Sequence, residues 1–130
     1  MLPVAGKPIL SYIIEALTES GIRNIVMVVG YRKEQIFNYF GSGESHGAAI
    51  TYVNQDKQVG TANALAQAGA VAGSEFLVLP GDNLITKETI TDFVNMSPAA
   101  VLTKRVENPS RYGVLTLDGN LVKCIVEKPR

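Results

Sequence analysis

Two hydrophobic periods alternate along this chain and divide it into elements. Residues 7–20 carry Ile9, Tyr12, Ile13, Ala16 and Leu17 at helical spacing, with Pro8 suited to a first turn and Gly21 to a stop. Residues 24–30 (NIVMVVG) form a continuous apolar run of strand length, the pattern of a strand covered on both faces in a parallel sheet. Residues 32–40 predict a short amphipathic helix with Ile36, Phe37 and Phe40 inward, broken by Gly41-Ser42-Gly43. Residues 49–53 predict the next strand.

After Gly60-Thr61, residues 62–72 predict an Ala-rich helix able to approach a sheet closely, and residues 75–79 (EFLVL) a buried strand. Thr86 is placed to cap a helix ending at Asn95, with Ile90, Phe93 and Val94 on its inner face. Residues 99–103 read as a strand, and residues 112–117 and 121–126 alternate around Asp118-Gly119, a hairpin signal. The sum is an α/β domain spanning 1–130: a doubly wound, mostly parallel sheet with helices on both faces and a C-terminal antiparallel hairpin. No linker, repeat or low-complexity tract interrupts it.

Composition narrows the function. With 46% apolar and 18% charged residues, the 130-residue chain fits one compact domain. Twelve basic and twelve acidic residues cancel, so no basic excess attracts a nucleic-acid backbone. No apolar run reaches the roughly 18 residues of a membrane span, and the N-terminus lacks a signal-peptide pattern, so the cytoplasm is the expected compartment. The single Cys124 allows no internal disulfide and reads as a small buried hydrophobe, while the lone His46 reads as a surface-loop residue.

Parallel strands place ligand sites at their carboxyl ends, where three segments fall: Gly30-Tyr31-Arg32, Asn54-Gln55-Asp56 and Pro80-Gly81-Asp82-Asn83. Asp82 suits Mg²⁺ that also bridges phosphate oxygens, although the same tetrapeptide is a good turn. Gly60 and Thr61 open a helix whose N–H groups could meet a polar or anionic ligand, or simply start the helix. Gln55 carries one donor and one acceptor suited to a base edge. Arg32 and Lys33 at a helix start oppose the dipole preference, a mild hint of an anion. One His and one Cys assemble no nucleophilic triad. The available chemistry is metal-assisted and electrostatic, which favours phosphoryl or nucleotidyl transfer.

In order, these segments resemble the sugar-1-phosphate nucleotidylyltransferases of the glucose-1-phosphate thymidylyl- and uridylyltransferase type. Residues 1–9 (MLPVAGKPI) look like the end of the family's N-terminal signature. Gln55 with Gly60-Thr61-Ala62 looks like its base-reading segment, and Leu79-Pro80-Gly81-Asp82-Asn83 like its metal-binding aspartate motif. Arg111-Tyr112-Gly113-Val114 and Glu127-Lys128-Pro129 look like its sugar-side elements. The resemblance implies a Rossmann-like fold. It also implies transfer of a nucleotidyl group from a nucleoside triphosphate to a sugar 1-phosphate. Gly60-Thr61-Ala62 is compatible with uridine, thymidine or guanosine nucleotides, and Gln55 tilts the choice toward a pyrimidine, UTP or dTTP. Its roles map onto Gln55, Gly60, Thr61 and Asp82 for the nucleotide, Asp82 for Mg²⁺, and Gly113, Glu127 and Lys128 for the sugar phosphate. Asp82 and Lys128 would be the catalytic pair.

The family's Gly-Thr-Arg triphosphate loop and signature lysine would precede Met1, and its later sugar segment and second metal-binding aspartate would follow Arg130. The expectation is therefore an incomplete nucleotidyltransferase domain with half a site, nearly inactive alone, whose uncovered strand edges favour a homo-oligomer. A non-catalytic regulatory or assembly module of the same fold is the alternative.

Overall fold

The computed structural model describes residues 3–57, 59–96 and 99–129, in two compact units, Met1–Ala100 and Val101–Arg130. Met1 and Leu2 of the N-terminal motif lie outside the described residues. The fold is mixed α/β, with a parallel sheet and a C-terminal antiparallel hairpin.

In the first unit, β1 (Pro3–Val4) pairs with β2 (Lys7–Pro8) around Ala5-Gly6. Helix α1 (Ile9–Glu19) starts two residues later than its periodicity predicts, because Lys7 and Pro8 are held extended against β1. The Tyr12 hydroxyl donates to the Val4 carbonyl at 2.9 Å and ties the turn to the helix. Strand β3 (Asn24–Val29), helix α2 (Lys33–Phe40) and strand β4 (Ala49–Asn54) follow. β3 and β4 pair in parallel, from Asn24 opposite Ala49 to Val29 opposite Asn54.

This register puts Ile25, Met27 and Val29 on the same face as Ile50 and Tyr52, since alternate residues share a face. There they pack with Ile14 of α1 and Phe40 of α2 in one apolar cluster. Phe37, expected inward, is instead 57% exposed, with its ring tilted 5.1 Å from that of Tyr52. The turn into β4 depends on Gly43. Its φ is +89°, and a Cβ there would lie 2.6 Å from the Ile50 side chain. His46 is half-buried, not a free loop residue, because its ring packs 5.1 Å from Phe40.

Helix α3 (Thr61–Ala68) lies beside β3 and β4 and is shorter than its Ala-rich sequence suggests. Helix α4 (Lys87–Val94) starts where expected, the Thr86 hydroxyl accepting from the Thr89 amide at 3.3 Å. Ile90 is fully buried against Ile13, Ala16 and Leu17 of α1, whereas Val94, expected inward, is 55% exposed. Residues 75–79 form no ladder among the described residues, although Leu77 and Leu79 pack into the Ile90 cluster. Phe76 and Val78 remain more than half exposed. Apolar alternation predicts which side chains seek cover, not whether a neighbouring backbone supplies hydrogen bonds. Residues 99–103 likewise join no ladder and are exposed.

The second unit is a ribbon of β5 (Gly113–Asp118) and β6 (Leu121–Glu127), turning through Gly119-Asn120. A bulge between Thr116 and Leu117 shifts the register past Lys123. Cys124 is exposed, contrary to the buried position its alternating pattern suggested, because every residue of β6 is exposed. Among the described residues no helix is long and apolar enough to cross a membrane.

Two stability outcomes follow from this packing. Ile90→Ala opens a cavity at the α1–α4 contact and is expected to cost about 3 kcal/mol in denaturant unfolding. Ser11→Ala is expected to be neutral or stabilising by up to about 1 kcal/mol, because the Ser11 hydroxyl is buried without a partner among the described residues.

The start of α4 also sets a pH dependence. Hydrogen bonds from its own backbone amide and from the Thr86 hydroxyl hold the Glu88 carboxyl below its usual range. A carboxyl lowered on folding contributes stability above its unfolded pKa and loses it as pH falls through the folded value. Thermal melts should therefore place Glu88→Gln below the parent at pH 7, with the gap closing as the buffer is acidified below about pH 4.

Candidate functional site

The parallel pair ends in a cavity. The Gln55 amide donates to the Val29 carbonyl at 2.8 Å, which extends the ladder one residue beyond β4 and holds the two strand ends side by side. Beyond them lies a cavity of about 520 Å³ lined by Gly30, Tyr31, Lys33, Asn54, Gln55 and Asp56. Two of the three segments predicted at strand ends thus meet there. Lys33 Nζ donates to Asn54 Oδ1 at 2.8 Å, and Asn54 Nδ2 donates to Asp56 Oδ1. One cation and one carboxylate are thereby bridged through an amide along the cavity wall. Arg32 takes the left-handed conformation at the N-cap of α2, with φ +56°, and its Nε donates to the Tyr31 hydroxyl at 3.0 Å.

Gln55 is tied to the start of α3. Its Nε2 donates to Asn63 Oδ1 at 2.9 Å and approaches the Gly60 carbonyl at 3.5 Å. Gly60 has φ +112° and ψ 172°, a region open essentially to glycine alone. Among the described residues, apart from its chain neighbours, nothing lies within 4 Å of a Cβ built there, so the demand at Gly60 is conformational. Among the described residues no side chain caps the start of α3 at Gly60, where the first-turn N–H groups of a helix need partners from outside it. Asn63 was not singled out from the sequence. The signal available was a lone polar residue in the first turn of an Ala-rich helix, three positions after the glycine.

Asp82 sits in the turn that follows residues 75–79, exposed and without an ion pair or hydrogen bond to the described residues. It does not line the 520 Å³ cavity. Its neighbour Gly81 lies near Leu10 at the start of α1, 3.9 Å from a Cβ built on the glycine. Among the described residues no group of three or more His, Cys, Asp or Glu is positioned to hold a metal. A single free carboxylate nevertheless fits Mg²⁺, which binds through one or two carboxylates together with waters and substrate phosphates.

The sugar-side candidates all belong to the second unit. Gly113 pairs directly with Glu127 across the ribbon, and a Cβ on Gly113 would lie 3.1 Å from Glu127 Oε2. The Lys128 amide donates to the Tyr112 carbonyl at 2.9 Å. Lys128 has φ +44°, an unusual conformation for a residue with a side chain. Its ammonium is exposed, 3.9 Å from Glu127 Oε1. The ribbon's register therefore gathers Gly113, Glu127 and Lys128 at its open end.

Known proteins resemble this chain in sequence and fold. The chain is 42% identical over 130 residues to the bifunctional protein GlmU of Methanococcus vannielii, covering 99% of this chain and 30% of that protein. It is 35% identical to the UTP–glucose-1-phosphate uridylyltransferase AglF of Haloferax volcanii, covering 99% of this chain and 56% of AglF. A Bacillus anthracis structure assigned as a glucose-1-phosphate thymidylyltransferase superposes with a TM-score of 0.83 at 30% identity. That superposition covers 98% of this chain and 55% of the Bacillus one. The chain thus spans about a third to a little over half the length of these relatives. The nucleotidyl transferase family model matches residues 1–130, and the chain belongs to that family.

Proposed function

We propose that the chain is the nucleotide-handling part of an enzyme that transfers a nucleotidyl group from UTP or dTTP to a sugar 1-phosphate, forming a nucleoside diphosphate sugar. The observation that supports this reading most is the meeting of Gln55 with the uncapped start of α3, at the carboxyl ends of a parallel strand pair. A base edge can be met by the Gln55 amide, and backbone approach is open at Gly60 and Thr61. The names of AglF and of the Bacillus protein agree with a pyrimidine nucleotide and a sugar 1-phosphate.

In this reading a sugar-1-phosphate oxygen attacks the α-phosphorus. The α–β phosphoanhydride bond breaks, and pyrophosphate leaves with its electron pair. Mg²⁺, when bound, supplies charge neutralisation to the phosphate oxygens, and Asp82 is the residue that would hold it. Lys128 offsets the charge of the sugar phosphate, while Glu127 and the Gly113 backbone orient the sugar. The chain acts in the cytoplasm and associates with copies of itself, for which the exposed Phe76 and Val78 on an unladdered segment give a physical motive. A monomer in sedimentation velocity would remove the self-association.

Calorimetric titration of the chain with UTP, dTTP, CTP, GTP and ATP, with and without Mg²⁺, tests the nucleotide half. UTP or dTTP should bind most tightly, and Gln55→Ala should weaken that binding by about tenfold, the worth of roughly one hydrogen bond. Asp82→Asn should abolish the gain in affinity that Mg²⁺ brings while leaving metal-free binding unchanged. Absence of binding by every nucleotide would defeat the proposal. Selective binding by a protein that releases no pyrophosphate from UTP and glucose 1-phosphate would favour a non-catalytic module.

A further inference from the structure

Gln55 reaches the cavity with its side-chain amide already committed. Its Nε2 lies 2.9 Å from Asn63 Oδ1 and 3.5 Å from the Gly60 carbonyl. A backbone carbonyl only accepts, so the amide end nearest Gly60 must be the NH₂, and a flipped amide would set oxygen against oxygen. The Asn63 amide can turn to match, and with Gly60 setting the choice it presents its oxygen to the Gln55 NH₂ as a second acceptor. Both Gln55 N–H groups therefore face protein acceptors. Its Oε1 has no partner among the described residues, in a residue that lines the 520 Å³ cavity.

We infer that Asn63 is a specificity-determining positioning residue: by engaging Gln55 Nε2 it leaves the Gln55 carbonyl, a pure acceptor, to meet the base. The inference rests on the nucleotide-binding reading above and adds to it a direction of hydrogen bonding. A fixed acceptor selects a base whose edge carries an imino N–H. Uracil and thymine donate from ring N3, whereas cytosine has a bare acceptor there, and acceptor facing acceptor is repulsive. Without Asn63 the amide would be held only by the long contact to Gly60. It could then rotate to offer its NH₂, which suits cytosine. Asn63 thus acts through Gln55, without needing to touch the nucleotide itself.

The test is the ratio of UTP to CTP affinity, because the two bases share ring size, ribose and triphosphate. The parent chain should prefer UTP. Asn63→Ala should lower the UTP:CTP ratio about tenfold, chiefly through weaker UTP and stronger CTP binding, with an unchanged melting temperature. Alanine is the best helix former and Asn63 sits among alanines, so folding is expected to survive. Asn63→Asp keeps an acceptor at the same place and should restore the ratio.

An unchanged ratio in Asn63→Ala would overturn the inference. So would an equal loss of both nucleotides, which would make Asn63 a structural support of α3. A parent chain that binds nucleotides with no preference between UTP and CTP would overturn it while leaving nucleotide binding intact. Failure of the parent to bind any nucleotide would defeat the underlying reading first, and the inference with it.

Discussion

The parallel pairing of β3 with β4 is the constraint on which the first unit depends. Six residue pairs in one register set a common face for Met27, Val29, Ile50 and Tyr52, and that face is what α1 and α2 cover. The same register ends both strands at one level, where the Gln55 amide closes the ladder on Val29. A slip by one residue would exchange the two faces of β4, turning Ile50 and Tyr52 away from the core and Gln55 away from its present partners. Core packing and site geometry are thus one choice of register.

The site also shows how backbone demands and side-chain chemistry combine. Gly60 takes a conformation that other residues reach only with strain, and in doing so turns the chain from the strand end into α3. That turn brings Asn63 back against Gln55, eight residues earlier. A short polar contact, not a cluster of charges, organises this edge. The one cation and one carboxylate along the cavity wall are already bridged through Asn54.

Much of this was legible in the amino-acid pattern, and the failures are instructive. The apolar run before Gly30, the Thr86 cap and the hairpin around Gly119 are local signals, each governed by a few adjacent residues, and they appear where expected. Helical spacing extends to Lys7 and Pro8, yet a two-residue pairing with Pro3 and Val4 claims them. Residues 75–79 carry a strand's alternation and half of a strand's burial, but no ladder. Cys124 alternates like a core residue on a ribbon that buries nothing.

By itself the sequence determined the succession of elements, the family, and the chemical types gathered near each strand end. Those depend on local periodicity, turn residues and short motifs. Only the tertiary structure decided which strand ends converge, that Gln55 meets Asn63 and Gly60, and that Asp82 stands apart from the cavity the two strands share. These are relations between residues brought together by strand register and helix approach. A one-dimensional pattern records which side chains need cover or a partner, and folding alone selects which partner each one finds.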